Sequence, residues 1–201
     1  LRDPLTLAAR ALRASTHASR QAAVAGPIRE VIVSEELRRK LIRNFDEVEY
    51  ETADRGPLYD GGRCAGLIGP REGLPGRKIG CGIDVVPPGK RACPYHFHYA
   101  QEEVFIVIEG EGTLRVAGEM IPIRRGDVIS IPPGPEYPHH IINTSDAPLK
   151  YLSLSTREFP EICEYPDSGK YMAYTSQHGP LLERGKVHRA DSALDYWDGE
   201  G

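Results

Sequence analysis

The chain has 201 residues, a formal net charge of −4, 40% hydrophobic residues and 27% charged ones. That balance is globular rather than disordered, and the length gives one domain as the natural reading. The positive charges are scattered and no apolar run approaches the ~20 residues that span a bilayer, so neither nucleic acid nor a membrane is expected as a partner. The four cysteines, Cys64, Cys81, Cys93 and Cys163, form no CxxC pair. In a chain of this length they read as reduced thiols of a cytoplasmic protein rather than as a disulfide scaffold.

Residues 1–27 form an extension. Its first 25 or so residues carry Arg2, Arg10, Arg13 and Arg20 against the single acid Asp3, in an Ala- and Ser-rich background. This is the composition of a solvated arm or, alternatively, of an organelle transit peptide, which would change the compartment. Next, "SEELRRKLIRNF" (34–45) predicts a short helix with Ser34 as N-cap and Leu37, Leu41 and Ile42 on one face.

After Phe45, Gly and Pro punctuate short runs rich in Val, Ile, Tyr and Thr. Strands are predicted at 78–86, 103–110, 113–118, 127–132, 139–144 and 150–156. Many short strands with regular turns indicate an all-β sandwich or barrel. Residues 28–201 are read as a single domain, with a barrel core of about 75–157 and a C-terminal tail at 176–201. Within it, "EGEG" predicts a hairpin that sets Val107 opposite Leu114 and Phe105 opposite Val116. One face then carries Glu103, Phe105, Val107, Leu114 and Val116. The other carries Val104, Ile106 and Ile108. A strand apolar on both faces is covered on both, once by the barrel interior and once by the N-terminal segment or a second subunit, hence an expected homodimer.

The stretch "PYHFHYAQEEVFIVIEG" (94–110) carries the chemistry. Residues i and i+2 of a strand share a face, so His96 and His98 project together, and Glu103 opens the next strand toward the interior. Imidazoles and a carboxylate converging inside a small barrel suit a divalent transition metal, and burying them without a partner would be costly. A fourth ligand is expected from His139 or His140, between which strand parity does not choose.

At this point the sequence resembles the cupin superfamily. Gly89-x6-His96-x-His98-x4-Glu103-x6-Gly110 is similar to its first motif, G(x)5HxH(x)3-4E(x)6G, with one extra residue before the first His. Gly126-x5-Pro132-x-Gly134, followed by His139-x3-Asn143, is similar to the second, G(x)5PxG(x)2H(x)3N, with two extra residues after Gly134. The resemblance implies a double-stranded β-helix, or jelly-roll, barrel with a short N-terminal helical extension. It selects Glu103 over Glu102 and His139 over His140. It implies one divalent metal per subunit (Mn, Fe, Ni, Co or Zn) held by His96, His98, Glu103 and His139. "EYPDSGK" (164–170) and "YWDGE" (196–200) look like a subgroup of single-domain bacterial cupins, uncharacterised or similar to mannose-6-phosphate isomerase.

Four protein ligands on a six-coordinate metal leave two positions for water, substrate or dioxygen. The expected activity is Lewis-acid isomerase, epimerase or lyase chemistry on a small oxygenated molecule. The alternatives are a metal-dependent dioxygenase and a non-catalytic small-molecule binding or sensing module. Tyr95, Tyr99, Glu102, Tyr137 and His140 are acid–base candidates, with Tyr137 and His140 preferred as catalytic residues because they flank His139. The interior beside the metal is expected to be apolar, lined by Phe105, Val107, Leu114 and Val116, with Arg77, Lys78, Lys90 and Arg91 at the rim. Tyr196 and Trp197 are expected to pack back on the barrel.

Overall fold

The computed structural model describes residues 35–52, 54–69, 78–174, 187–189, 191 and 193–201. The readings of residues 1–34, including Ser34 as a cap, and of Arg77 lie outside the described residues. A helix α1 (Glu35–Leu41) precedes the strands, which form three antiparallel sheets. The largest has the order β1 (Glu51–Thr52), β2 (Arg63–Ile68), β3 (Ile79–Val86), β10 (Leu149–Thr156), β5 (Glu103–Glu109), β8 (Val128–Ile131). The second runs β13 (Val187–Arg189), β12 (Lys170–Tyr174), β11 (Glu161–Tyr165), β4 (Phe97–His98). The third runs β7 (Glu119–Arg124), β6 (Glu111–Val116), β9 (His139–Ile142).

The two smaller sheets are joined by one backbone pair. His96 N donates to His139 O at 3.1 Å and His139 N to His96 O at 2.7 Å. Joined in this way, they face the six-stranded sheet, and a jelly-roll barrel results. Its apolar core packs Val107, Leu149 and Tyr151 of the large sheet against Leu114, Ile123 and Ile141 of the other. No helix among the described residues is long and apolar enough to cross a membrane.

The hairpin predicted at "EGEG" does not form. β5 pairs with β10 and β8, whereas β6 pairs with β7 and β9. The chain instead turns a corner from one sheet to the other at Gly110, whose φ is +81° and where a Cβ would sit 2.5 Å from Pro148 O. A glycine-rich loop serves a corner as well as a hairpin, since both need φ > 0 and close backbone approach. The face assignment survives, because alternation within a strand does not depend on its partner. Phe105, Val107 and Leu114 are buried inside, while Val104, Ile106 and Ile108 are half-buried outside.

The outer face of β2 and β3 is a second, smaller core. Ala65, Leu67 and Ile83 are covered there by Phe45, Val48 and Tyr50. The segment after α1 is therefore the cover for this part of the sheet. The apolar face of α1 itself stays exposed, Leu37 at 55% and Leu41 at 58%. Tyr196 and Trp197 also depart from expectation. They are 83% and 71% exposed and lie edge-to-face on each other rather than on the barrel.

Candidate metal centre

The His96–His139 backbone pair forces these two side chains onto one face, and the period of two adds His98 on β4. Glu103, the first residue of β5, faces them from the other sheet. Its Oε2 lies 2.8 Å from His139 Nε2, 3.6 Å from His98 Nε2 and 3.7 Å from His96 Nε2. His139 and His96 are buried, at 1% and 8% exposure. The four residues named from the sequence are brought together at one point.

The opposite nitrogen of each ring is already engaged. Nδ1 of His96 meets Pro94 O at 2.8 Å, Nδ1 of His139 meets Tyr137 O at 3.0 Å, and Nδ1 of His98 meets Glu161 Oε1 at 3.0 Å. Carbonyl and carboxylate oxygens only accept, so each Nδ1 carries the hydrogen, and each ring turns its Nε2 toward Glu103. Burial pushes His96 down to about 4 and so keeps that ring neutral. Burial alone would raise the Glu103 carboxyl, but the His139 bond and the neighbouring imidazoles outweigh it and hold it below its ordinary value. Three imidazole nitrogens therefore converge on one carboxylate oxygen, and of the three only His139 Nε2 comes within hydrogen-bond distance of it, at 2.8 Å. A divalent cation fits this donor set, and a single proton could satisfy only one of its contacts.

β11 completes the wall and was not legible beforehand. Its alternate residues Glu161, Cys163 and Tyr165 face the site. Glu161 is 1% exposed and accepts from His98 Nδ1 and from the backbone N–H of Tyr99, Ala100 and Gln101 at 2.9 to 3.2 Å. Cys163 sits directly opposite His98 across the ladder, and its Sγ lies within 4.8 Å of ring nitrogens of both His96 and His98. Tyr165 stacks on His96 at 6.1 Å between centroids. The signal was an E-x-C-x-Y alternation, but only the pairing of β11 with β4 aims it at His96 and His98.

The acid–base candidates are placed as follows. His140, one residue past His139, points to the outer face of β9, where it pairs with Arg115 and lies edge-on to Tyr95 at 5.4 Å. Its ring nitrogens are buried and lack a well-aligned partner, the Cys93 backbone being the polar group that approaches it. Burial, with Arg91 and Arg115 nearby, pushes it down to about 4. Tyr137 serves the site through its carbonyl, while its residue is 40% exposed. Tyr95 is on the outer side as well, its ring 3.7 Å under the Arg115 guanidinium and its hydroxyl accepting from Gly118 N. Tyr99 is 48% exposed and bonds Glu164 at 3.0 Å, and Glu102 is exposed. Asn143, the last residue of the second motif, is fully buried and ties the β9–β10 turn to Val86 O and Ala147 O.

The interior beside Glu103 is not the apolar wall expected. Along the ladder Glu103 opposes Ser155 and Phe105 opposes Ser153, and these oppose Gly80 and Gly82, with Asp84 beyond. β2 adds Cys64 and Gly66 opposite Asp84 and Gly82. Together they line a hollow of about 340 Å³ that includes Glu103 and Arg157. Ser153 Oγ donates to Asp84 Oδ2 at 3.1 Å. Burial raises the Asp84 carboxyl to about 6, Ser153 opposing the shift and Glu103 adding to it. Of the rim cations, Lys90 is tied to Asp60 at 2.7 Å and Pro57 O at 2.6 Å.

Comparison with known proteins agrees with this architecture. Residues 82–155 match the model of the cupin domain. A proposed sugar phosphate isomerase from Acidithiobacillus ferrooxidans superposes with a TM-score of 0.62 at 24% identity, over 78% of this chain and 97% of that one. A cupin-superfamily sugar phosphate isomerase from Silicibacter pomeroyi gives 0.63 at 24% identity, over 79% and 98%. An uncharacterised protein of Methanocaldococcus jannaschii is 38% identical over 71 residues, which are 35% of this chain. The match spans about half, 54%, of that relative's length. The jelly roll is formed and the strands that carry the two motifs meet at one point, in keeping with the cupin domain whose model residues 82–155 match.

Proposed function

We propose that the protein is a metal-dependent enzyme that transforms a small hydroxylated molecule by isomerase, epimerase or lyase chemistry. The observation that carries this reading is the set of three imidazole Nε2 atoms turned on the Glu103 carboxylate, with every Nδ1 already bonded. A divalent transition metal held by His96, His98, Glu103 and His139 supplies Lewis acidity toward a carbonyl or hydroxyl oxygen. The remaining work falls to this chain's own groups. Ser153 and Ser155 offer hydroxyls to a substrate lying along the hollow, and the glycines of β2 and β3 leave room for it. Asp84, titrating near 6, suits proton transfer close to neutrality. The names of the two structural relatives make a phosphorylated sugar the first ligand to try, and Arg157 is the cation among the described lining residues to meet a phosphate.

Elemental analysis of the purified protein beside His96→Ala and Glu103→Ala tests the centre. About one divalent metal per chain is expected in the wild type and a loss of ~10-fold or more in either variant. Equal metal content in all three would defeat the proposal. A melting-temperature screen with sugars, sugar phosphates and hydroxy acids then separates ligand classes, because a ligand that binds only the folded state raises the midpoint.

A further inference from the structure

We propose that Cys163 is a further donor to the metal centre, giving it a sulfur ligand that the two sequence motifs do not contain. The inference rests on the metal reading above. Three placements carry it. Cys163 is the cross-strand partner of His98, so its side chain emerges on the face that presents the imidazoles. Its Sγ and one nitrogen each of His96 and His98 lie within 4.8 Å of one another, a second cluster of donors that shares His96 with the Glu103–His139 group. And the thiol is 2% exposed, which rules out a solvent-facing role.

Charge argues in the same direction. Among the four motif ligands only Glu103 is anionic. The other buried carboxylate, Glu161, has its charge met by one imidazole N–H and three backbone N–H groups. A divalent cation beside Glu103 is thus left with net positive charge in a buried site. A thiolate offsets it: the S–H proton leaves to water as the sulfur–metal bond forms, one proton for one bond. A soft sulfur donor added to imidazoles shifts preference toward zinc, cobalt, nickel and iron and away from manganese and magnesium.

The probe is cobalt(II) alone, added to the metal-stripped full chain, with Cys163→Ser, Cys163→Ala and Cys93→Ser in parallel. The wild type and Cys93→Ser are expected to show an intense near-ultraviolet sulfur-to-cobalt band that both Cys163 variants lack. Competition between zinc and manganese, read by elemental analysis, should show the zinc preference falling about tenfold or more in Cys163→Ser. A cobalt-loaded wild type without the band, or a band unchanged in Cys163→Ser, overturns the assignment of Cys163 while leaving the four-ligand centre standing. A wild type that takes up no more metal than Glu103→Ala overturns both. Far-ultraviolet circular dichroism of each variant establishes that a lost band is not a lost fold.

Discussion

The barrel interior has two halves that share β5 as their boundary. On one side Val107, Leu114, Leu149 and Ile141 fill the space to exclusion, at 0 to 5% exposure. On the other, Gly66, Gly80, Gly82, Ser153 and Ser155 leave a hollow of about 340 Å³. β5 and β10 each contribute to both. Glu103 and Ser155 stand at one end of the paired ladder, Val107 and Tyr151 further along it. The same inward parity thus builds a plug or a cavity according to side-chain volume alone. Stability is concentrated where volume is conserved, and chemistry where it is withheld, which is how a strand can carry a costly polar cluster without losing the fold.

The largest test of this division is in the plug. Leu149 is fully buried against Gly112 and the core residues of the third sheet. Leu149→Ala should lower the unfolding free energy by about 2–5 kcal/mol, since a cavity remains after the lost burial. Denaturant melts read this directly, and metal content per folded chain should not change. If Leu149→Ala emptied the centre without lowering stability, the two halves would not be separable.

The second test is in the hollow and runs on pH. Asp84 titrates near 6 in the folded protein against 3.8 ordinarily, because burial disfavours its charge. Between those values the native state holds more protons than the unfolded chain, so this group's contribution to stability falls as pH rises from about 4 to 6 and is flat outside that window. Asp84→Asn removes that slope. Relative to wild type, the variant should gain up to about 3 kcal/mol between pH 4 and pH 7. Melts at both pH values check it. A constant difference between the two proteins would mean that the folded carboxyl is not shifted.

The same division explains how much the sequence disclosed. His96, His98 and Glu103 were legible because parity along the strands places ionisable side chains on the inward face, whereas the choice of His139 over His140 came only from the resemblance to the second motif. The inward set of β5 and β6 was legible by parity. The partner of each strand was not, so the corner at Gly110 read as a hairpin. His140 read as a neighbour of the site because adjacency in sequence is not adjacency in space: on β9 alternate residues face opposite sides. The hollow was hidden because it is made of what Gly80, Gly82 and Ser153 lack. Glu161, Cys163 and Tyr165 were hidden because the register between β11 and β4 joins residues more than 60 positions apart, as the His98–Glu161 bond does.

A matched pair of substitutions sets the halves against each other with one methyl group. A Cβ on Gly112 would lie 2.6 Å from Ile142 O and 2.8 Å from Leu149 Cδ2, against backbone and packed core that have no room to give. Gly112→Ala should therefore cost about 1–3 kcal/mol as overpacking. A Cβ on Gly82 would lie 3.3 Å from Ser153 Oγ and 3.4 Å from Ala65 O, contacts that a small turn of the serine side chain relieves. That turn weakens the bond to Asp84, so Gly82→Ala should cost about 0.5–1.5 kcal/mol, the worth of one ordinary hydrogen bond. Its larger consequence is in binding, because the methyl group enters the hollow beside Glu103. Any ligand that raises the wild-type melting temperature should raise that of Gly82→Ala by less and that of Gly112→Ala by the same increment as wild type. The reverse order would put the ligand in the plug half and remove the hollow as the place where substrate lies.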